Sequence, residues 1–346
     1  MAKRISMLDW KVLGPSLLLF TGCPAADESP AAQDTGTATI VATGGTGEGS
    51  TGVATSRADS DDSAQSVGTT ATTRPEEDDS SAPVVFDHGG IPDAPPLADS
   101  KCRKVDFLFI IDNSSSMGAY QTNLVNSFPG FIDGIVGTLE SADSYQVGVI
   151  TTDTYTDGAP GCWGLSSLVA QTGGFESSNM VYGPFADGFN YMTEDDDLAT
   201  AFNCAATVGT NGDGNEQPMQ AMIDAVQRVE GGAGQCNEGF LRDDSLLVIV
   251  DIGDEYDNSP GTPQSWYDDV VAARSDLAEN VVILSIIDAP GGPCGSGQSA
   301  DRAAFTALWG ANGFEVPICV PDYAPYFAEA IDIIDTACEN FVLPAG

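Results

Sequence analysis

Short apolar runs alternate with amphipathic segments after residue 101, and this pattern predicts the folded part of the chain. Runs with the length and the Val, Ile, Leu and aromatic content of buried strands lie at 107–111, 145–151, 246–252, 281–287 and 316–320. Apolar residues at helical spacing predict helices at 120–139, interrupted at Pro129, and at 216–229, 264–278, 299–309 and 323–337. The alternation predicts an α/β domain with a doubly wound, mostly parallel central sheet and helices on both faces.

The composition changes abruptly near residue 100, which divides the chain into unequal parts. Residues 23–100 are rich in Ala, Thr, Ser, Gly, Asp and Pro and contain almost no aromatic or long aliphatic side chains. Such a segment cannot bury enough apolar surface to offset the entropy of ordering, so we expect a disordered tether. The folded domain is then 101–346, with a large irregular insertion at 158–208 that is rich in Gly, aromatic and acidic residues.

The first 22 residues have the pattern of a lipoprotein signal peptide. Basic residues precede an apolar stretch at 12–20, and Leu-Phe-Thr-Gly-Cys at 19–23 resembles the lipobox of bacterial lipoproteins. We therefore expect export and a lipid anchor on Cys23, with ordinary secretion as the alternative. Pro24 and Ala25 do not resemble the usual inner-membrane retention signal, which favours the outer membrane or the cell surface.

The chain is strongly acidic, with 51 Asp and Glu against 12 Lys and Arg and a formal net charge of -39. Such a surface repels phosphate backbones and anionic headgroups, so we expect no nucleic-acid partner and membrane contact only through the lipid. The single histidine, His88, lies in the predicted tether. Catalysis by Ser-His-Asp or Cys-His groups and His-ligated zinc are therefore excluded for the folded domain.

Acidic residues follow three of the predicted strands, at Asp112, Asp153 and Asp254. Because the carboxyl ends of parallel strands meet at one edge of a sheet, we expect these residues to share a rim. The first strand ends in Asp112-x-Ser114-x-Ser116, a spacing that brings hard oxygen ligands of the kind Mg²⁺ prefers to one point. The alternative is a helix cap in which a serine accepts bonds from free backbone amides.

Together these features resemble a von Willebrand factor A domain with a metal-ion-dependent adhesion site. The shared features are an apolar strand, D-x-S-x-S, an amphipathic helix, a later threonine loop and a strand ending in aspartate, within about residues 101–339. The resemblance implies that two serines and a threonine contact a divalent cation directly or through water, while two aspartates hold the surrounding shell. On this basis the cation is Mg²⁺, with Mn²⁺ or Ca²⁺ as alternatives, and the metal residues are Asp112, Ser114, Ser116, Thr210 and Asp254.

Two of these assignments have alternatives. The family places the second aspartate one residue beyond a small or hydroxyl residue, which selects Asp254 after Gly253 over Asp251 inside the apolar run. The glycine-rich loop at 209–217 is longer than the family's usual one, so other residues stay open as substitutes for the threonine: Thr207, Asp213 and Glu216.

Seven cysteines follow Cys23, and in an exported protein we expect them to form disulfides. The ends of a doubly wound domain often lie close together, which favours Cys102 with Cys338. Proximity in sequence favours Cys294 with Cys319. It also favours Cys162 with Cys204, leaving Cys236 over, although Cys204 with Cys236 is nearly as plausible.

The sequence therefore favours a binding module over an enzyme. A cation held mostly by neutral hydroxyls keeps an open position that accepts a carboxylate from a protein partner presenting an acidic residue, as the resemblance implies. A metal-assisted hydrolase with Asp254 or Glu255 as base is the alternative, but a second metal cluster and a partnered nucleophile are lacking. A structural envelope protein without a metal-dependent ligand is the third hypothesis.

Overall fold

The computed structural model describes residues 102–138, 144–228 and 235–345. The predicted signal peptide at 1–22, the lipid on Cys23 and the tether at 23–100 lie outside the described residues, so they stay predictions. None of the helices in the described ranges has the length and apolar character needed to cross a membrane.

Strands and helices alternate along the described chain, as the apolar pattern predicts. The strands are β1 Lys104–Ile111, β2 Ser144–Thr151, β3 Met192–Thr193, β4 Leu246–Gly253, β5 Val281–Ile287 and β6 Gly313–Pro317. The helices are α1 Gly118–Thr138, α2 Leu198–Ala206, α3 Pro218–Val226, α4 Pro263–Ala273, α5 Ala300–Leu308 and α6 Ala324–Glu339. Short 3-10 turns lie at Ala278–Asn280 and Gly310–Asn312.

The strands form one sheet in the order β3-β2-β1-β4-β5-β6. All pairs are parallel except β2 with the short β3, which is antiparallel. The predicted α/β fold with a mostly parallel sheet is therefore confirmed. The chain moves from β1 to β2 on one side and later returns to β4 on the other side of β1. This reversal places the usual ligand crevice of doubly wound folds at the carboxyl ends of β1 and β4.

The helices cover both faces of the sheet, and β1 shows how its sequence divides between them. Phe107 and Phe109 pack into one apolar cluster with residues of α1, α2 and α6. Leu108 and Ile110 face the opposite cluster, which contains residues of α3, α4 and α5. Because successive side chains of a strand point to opposite faces, the continuous apolar run reflects burial on both sides.

Four parts of the sequence prediction differ from the structure. The last strand, predicted at 316–320, lies at Gly313–Pro317. Helix α1 continues through Pro129 instead of being interrupted there. The insertion contains β3 and α2, which its Gly-rich composition concealed. Helix α4 ends at Ala273 because Ser275 and Asp276 adopt the left-handed conformation, with φ of 58° and 62°.

Disulfides join distant parts of the domain. The structure pairs Cys102 with Cys338 and Cys294 with Cys319, the two bonds that the sequence favoured. The predicted bond between Cys162 and Cys204 is wrong, since Cys162 is joined to Cys236.

Side-chain contacts around the insertion explain the different pairing. The amide group of Asn237 bonds to the Leu168 N–H and the Ser166 carbonyl, which holds the 161–168 loop against the turn that carries Cys236. Cys204 instead lies in α2, which packs against α1. The pairing was therefore set by contacts distant in sequence, while the prediction used proximity along the chain.

Candidate metal centre

The residues predicted to share a rim lie at neighbouring strand ends. β1 is hydrogen-bonded to β2 on one side and to β4 on the other, so Asp112, Asp153 and Asp254 follow three adjacent parallel strands. The Asp112 N–H donates to the Ile252 carbonyl at 2.9 Å, which ties the start of the first loop to the end of β4. The sheet order thus accounts for the shared rim.

Asp112 is buried beneath this rim and points toward β4. Its Oδ1 accepts a 2.8 Å hydrogen bond from the Ser114 N–H. A Cβ at Gly253 would lie 2.7 Å from Asp112 Oδ2, so only glycine leaves room for the carboxylate. Burial raises the pKa of Asp112 to about 6, against the lowering effects of the Ser114 bonds and the Arg302 charge.

The two serines and Asp254 converge beside Asp112. The hydroxyls of Ser114 and Ser116 lie 3.2 Å apart, and Ser116 Oγ donates to Asp254 Oδ1 at 2.8 Å. Ser114 is buried, whereas Ser116 is exposed and Asp254 half-buried. Four of the five predicted metal residues therefore form one connected group that is open to solvent on one side.

Asp251, the alternative for the second aspartate, is committed to another partner. Its two oxygens accept hydrogen bonds from Arg302 Nε and Nη2, each at 2.8 Å, and both side chains are buried. Arg302 also donates to the Gly253 carbonyl at 3.1 Å. Because Asp251 is held in this two-point ion pair, Asp254, which accepts the bond from Ser116, is the carboxylate available to a cation at the end of β4.

The glycine-rich loop at 209–217 is held against the D-x-S-x-S turn by several bonds. Gln121 Nε2 donates to the carbonyls of Asp112 and Gly209, at 3.0 and 2.9 Å, while its Oε1 accepts from the Gly209 N–H. Further along, the Gly212 N–H donates to the Asn113 carbonyl at 2.8 Å. Bonds to Gln121 and to the backbone of the D-x-S-x-S turn therefore fix the position of the loop.

Thr210, the predicted threonine, is bonded to a carboxylate of the insertion. Its hydroxyl donates to Glu176 Oε2 at 3.3 Å, and Glu176 lies so close to the start of α1 that a Cβ at Gly118 would overlap it. Thr207, one of the substitutes, donates to the Asn203 carbonyl at 2.7 Å and finishes α2. Thr207, Glu176 and the first turn of α1 line a cavity of about 450 Å³ beside the serine loop.

The other two residues left open in place of the threonine, Asp213 and Glu216, differ in their exposure to solvent. Asp213 is exposed, and its N–H donates to Asp153 Oδ2 at 2.9 Å. Glu216 is 1 % exposed, and one of its oxygens accepts a hydrogen bond from the Thr152 hydroxyl. Burial and the nearby Asp112 charge raise the pKa of Glu216 to about 9, and burial also raises the pKa of Asp153.

Three residues that shape the site were not singled out by the sequence. Gln121 could have been identified from the sequence, because it is a polar residue on the apolar face of α1 that continues through Leu124 and Phe128. Arg302 left a weaker signal as one of seven basic residues after position 100, within an amphipathic helix. Glu176 left none, since nothing in the insertion's sequence indicates that its carboxylate reaches α1.

The donor set fits a hard divalent cation. Among the described residues, no three Asp, Glu, His or Cys side chains come together as a metal cluster, so hydroxyl groups and water must supply part of the shell. Mg²⁺ commonly retains several waters and takes one or two carboxylates. Buried oxygens on Asn113 and Glu216 lack a hydrogen-bond partner in the described chain, which a cation and its waters would satisfy.

Comparisons with known proteins give little beyond this geometry. No protein-family model matches the sequence, and no curated protein matches it. Proximal thread matrix protein 1 from the mussel byssus is similar over 68 % of this chain, with 12 % identity and a TM-score of 0.39. A form of that protein "with zinc occupied MIDAS motif" is similar over 70 % of the chain, with 16 % identity and a TM-score of 0.36.

The human COPII-coat protein Sec24c is also similar, over 63 % of this chain and 30 % of its own, with 13 % identity and a TM-score of 0.28. This chain spans about half the length of the mussel protein, 48 % and 47 % in those two structures. Because all these TM-scores are below 0.5, the fold class rests on the strand order and register described above.

Proposed function

We propose that the domain binds a divalent cation at the serine loop and uses the ion's open position to bind an acidic group of a partner protein, in the manner of a metal-ion-dependent adhesion site. The observation that carries this proposal is the convergence of Ser114, Ser116 and Asp254 above the buried Asp112. Mg²⁺ is the proposed ion, and Mn²⁺ or Ca²⁺ suit the same oxygen ligands.

The chemistry of the serines supports a binding role rather than catalysis. Neutral hydroxyls bind a cation without cancelling its charge, so the ion keeps attraction for an incoming carboxylate. The domain itself opposes an acidic partner, because residues 101–346 carry 36 acidic and 7 basic residues, a formal net charge of -29. Screening beyond a Debye length of about 8 Å leaves the contact at the metal decisive.

We propose further that the protein acts at the cell envelope as a lipid-anchored molecule. The support is the sequence at 1–23, where a basic and apolar leader ends in a lipobox-like Cys23. A tether at 23–100 would hold the domain away from the membrane, and many copies on one surface would strengthen an individually weak contact. Loss of radiolabelled palmitate from the Cys23→Ser variant, with the wild type labelled, tests the anchor.

The central experiment measures binding of the full-length protein to a surface coated with peptides that present one exposed Glu. Matched peptides with Gln in that place are the ligand control. We expect binding to the Glu peptide that requires Mg²⁺, disappears with EDTA and is lost in the Ser114→Ala/Ser116→Ala double variant. Ser115→Ala is the protein control, because Ser115 is an exposed residue between the two serines.

Equal binding by the double variant and the wild type would rule out the adhesion proposal. Equal binding to the Glu and Gln peptides would retain a metal-dependent contact but reject the carboxylate as the group that is recognised. Circular dichroism of each variant shows that the fold is intact before binding is compared.

A further inference from the structure

The glycine-rich loop holds two candidate ligands, Thr210 and Glu216, in different environments. The Thr210 hydroxyl donates to Glu176 Oε2 at 3.3 Å. Glu216 lies six residues later, just before the N-cap residue of α3, and its side chain is buried beside Thr152, which follows β2. The sequence selected Thr210 and left Glu216 as a substitute.

Glu216 is fixed in this position by the backbone around it. The Gln217 N–H donates to the Thr152 carbonyl at 2.7 Å, and the Asn258 N–H donates to the Glu216 carbonyl at 2.8 Å. The Thr152 hydroxyl donates to Glu216 Oε2. The loop after β2 and the loop after β4 therefore hold the residue from two sides and direct it toward the rim.

Two other buried carboxylates have an arginine counterion, whereas no such partner is present for Glu216 in the described ranges. Asp106, at the other end of β1, is fully buried and is bound by the Arg242 guanidinium at 2.6 and 2.8 Å. Asp251 is likewise bound by a guanidinium, that of Arg302, through both of its oxygens. Within the described residues, Glu216 Oε1 has no hydrogen-bond partner.

An unpaired carboxylate in such a place is costly unless a cation binds beside it. Burying an ionised group without a partner is unfavourable because the charge loses its hydration. The neighbours of Glu216 increase this cost, since Asp112 and Asp153 both lie near enough to repel its charge. Arg302 is already shared between Asp251 and the Gly253 carbonyl, so it does not neutralise Glu216.

We infer that Glu216, and not Thr210, is the ligand that the glycine-rich loop supplies to the cation. The unpartnered Oε1 of Glu216 and the equally unpartnered Oδ1 of Asn113, which is 2 % exposed, are the oxygens that the ion and its waters satisfy. Asp112, Glu216 and Asp254 then surround the ion, and because no three acidic side chains among the described residues come together as a direct metal cluster, water links part of this group to the ion. Thr210 and Glu176 form a separate contact beside α1.

This assignment changes the charge of the site. Three ionised carboxylates exceed the charge of one divalent cation, so the ion is held more firmly than by two aspartates and neutral hydroxyls. The same excess weakens the attraction for a partner's carboxylate. The site therefore combines strong metal retention with a weak individual contact, which suits presentation in many copies.

The test compares Glu216→Gln with Thr210→Val in the full-length protein, using Mn²⁺ alone as the probe. The inference rests on the proposed metal centre, so free Mn²⁺ is measured directly by electron paramagnetic resonance, without a partner. We expect Glu216→Gln to lower Mn²⁺ affinity at least tenfold and Thr210→Val to change it less than twofold. Wild type and Ser115→Ala are the references.

A second readout separates a metal ligand from a structural residue. In EDTA, Glu216→Gln should melt at a higher temperature than the wild type, because an ionisable group without a counterion is removed from a buried position while the bond from Thr152 can persist. Saturating Mn²⁺ should then raise its melting temperature less than that of the wild type. If Glu216 is a metal ligand, its replacement therefore stabilises the metal-free protein and weakens the response to Mn²⁺.

The outcomes distinguish this inference from the proposed function. If the wild type binds Mn²⁺ and Glu216→Gln binds it equally well, the inference is wrong and the metal centre stands. A tenfold loss of Mn²⁺ affinity in Thr210→Val, with no loss in Glu216→Gln, would show that Thr210 is the ligand. If the wild type binds no Mn²⁺, both the inference and the proposed metal centre are overturned.

Discussion

Single residues at the rim differ from those elsewhere in how their charges are balanced. Asp106 and Asp251 each have a guanidinium partner, whereas Asp112 and Glu216 lie near one another with raised pKa values. Carboxyl groups with perturbed pKa values are concentrated at functional sites. The crowding of Asp112 and Glu216 therefore supports the proposed position of the cation.

This crowding predicts an unusual pH dependence of the metal-free protein. The pKa of Glu216 rises from 4.5 to about 9 on folding, and that of Asp112 from 3.8 to about 6. Because the folded state binds these protons more tightly, their contribution to stability is complete below pH 4 and is lost as the pH rises toward 9. In EDTA, the melting temperature should fall across this range.

Thermal melts at intervals of one pH unit check the prediction, and saturating Mg²⁺ is the matched condition. The ion binds the deprotonated carboxylates, so it should remove most of the fall. Glu216→Gln should flatten the profile between pH 6 and 9, where Asp112 no longer titrates. A profile in EDTA that rises through this range would show that neither carboxyl keeps its proton in the folded state.

At the residue scale, the sequence predicted the local half of the candidate site, the part that depends on a single turn. Asp112, Ser114 and Ser116 lie within five residues of one strand end, so their convergence follows from one turn. The contact of Ser116 with Asp254 depended only on β1 and β4 being neighbours. The orientation of Thr210 depends on Glu176 in the irregular insertion, and no local pattern carries that information.

At the scale of elements, the close approach of α1 to α6 limits what α1 can contain. Gly134 lies where a Cβ would overlap Ile331 of α6, whereas a Cβ at Gly130 would meet nothing within 4 Å. Both glycines lie inside the same helix, where glycine is unfavourable by about 0.5–1 kcal/mol relative to alanine. Packing against Ile331 therefore constrains position 134, whereas no contact constrains position 130.

The two glycines give a matched pair of substitutions. Gly130→Ala should raise the free energy of unfolding by about 0.5–1 kcal/mol, because only the helix propensity changes. Gly134→Ala should gain less than Gly130→Ala, because the added methyl group must turn the Cδ1 end of the buried Ile331 side chain aside. Urea unfolding of both variants measures the difference, and an equal gain in the two variants would mean that Ile331 moves aside without cost.

The strands were more predictable than the helix ends and the insertion, for a physical reason. β5 at Val281–Ile287 matches its apolar run completely, since burial on both faces leaves an unbroken signal. α1 continues past Pro129 because Phe128 and Phe131 pack against β1 and α6, and this packing is absent from any local propensity. The bond from Cys162 to Cys236 likewise depends on contacts between distant loops.

For the whole molecule, the dominant property is the excess of negative charge. Residues 101–346 contain seven basic residues, and within the described ranges several are used in ion pairs or carbonyl contacts: Lys104, Arg228, Arg242, Arg274 and Arg302. Most acidic side chains therefore face solvent and one another. Folding brings these charges closer together, so mutual repulsion opposes the compact state.

This repulsion predicts that simple salt stabilises the protein through its whole surface. Raising NaCl from 0.01 to 0.1 M shortens the Debye length from about 30 to about 10 Å, so distant carboxylates no longer repel one another. We expect the melting temperature in EDTA to rise by a few degrees without saturating. Mg²⁺ should act differently, with a saturable effect at far lower concentration, because one site binds it.

The Ser114→Ala/Ser116→Ala double variant separates the two effects. It should lose the saturable response to Mg²⁺ and keep the gradual response to NaCl, since it retains every acidic residue. A wild type that melts at a lower temperature in 0.1 M NaCl would mean that its ion pairs outweigh the general repulsion. In that case the acidic surface would be locally balanced, and its opposition to an acidic partner would also be small.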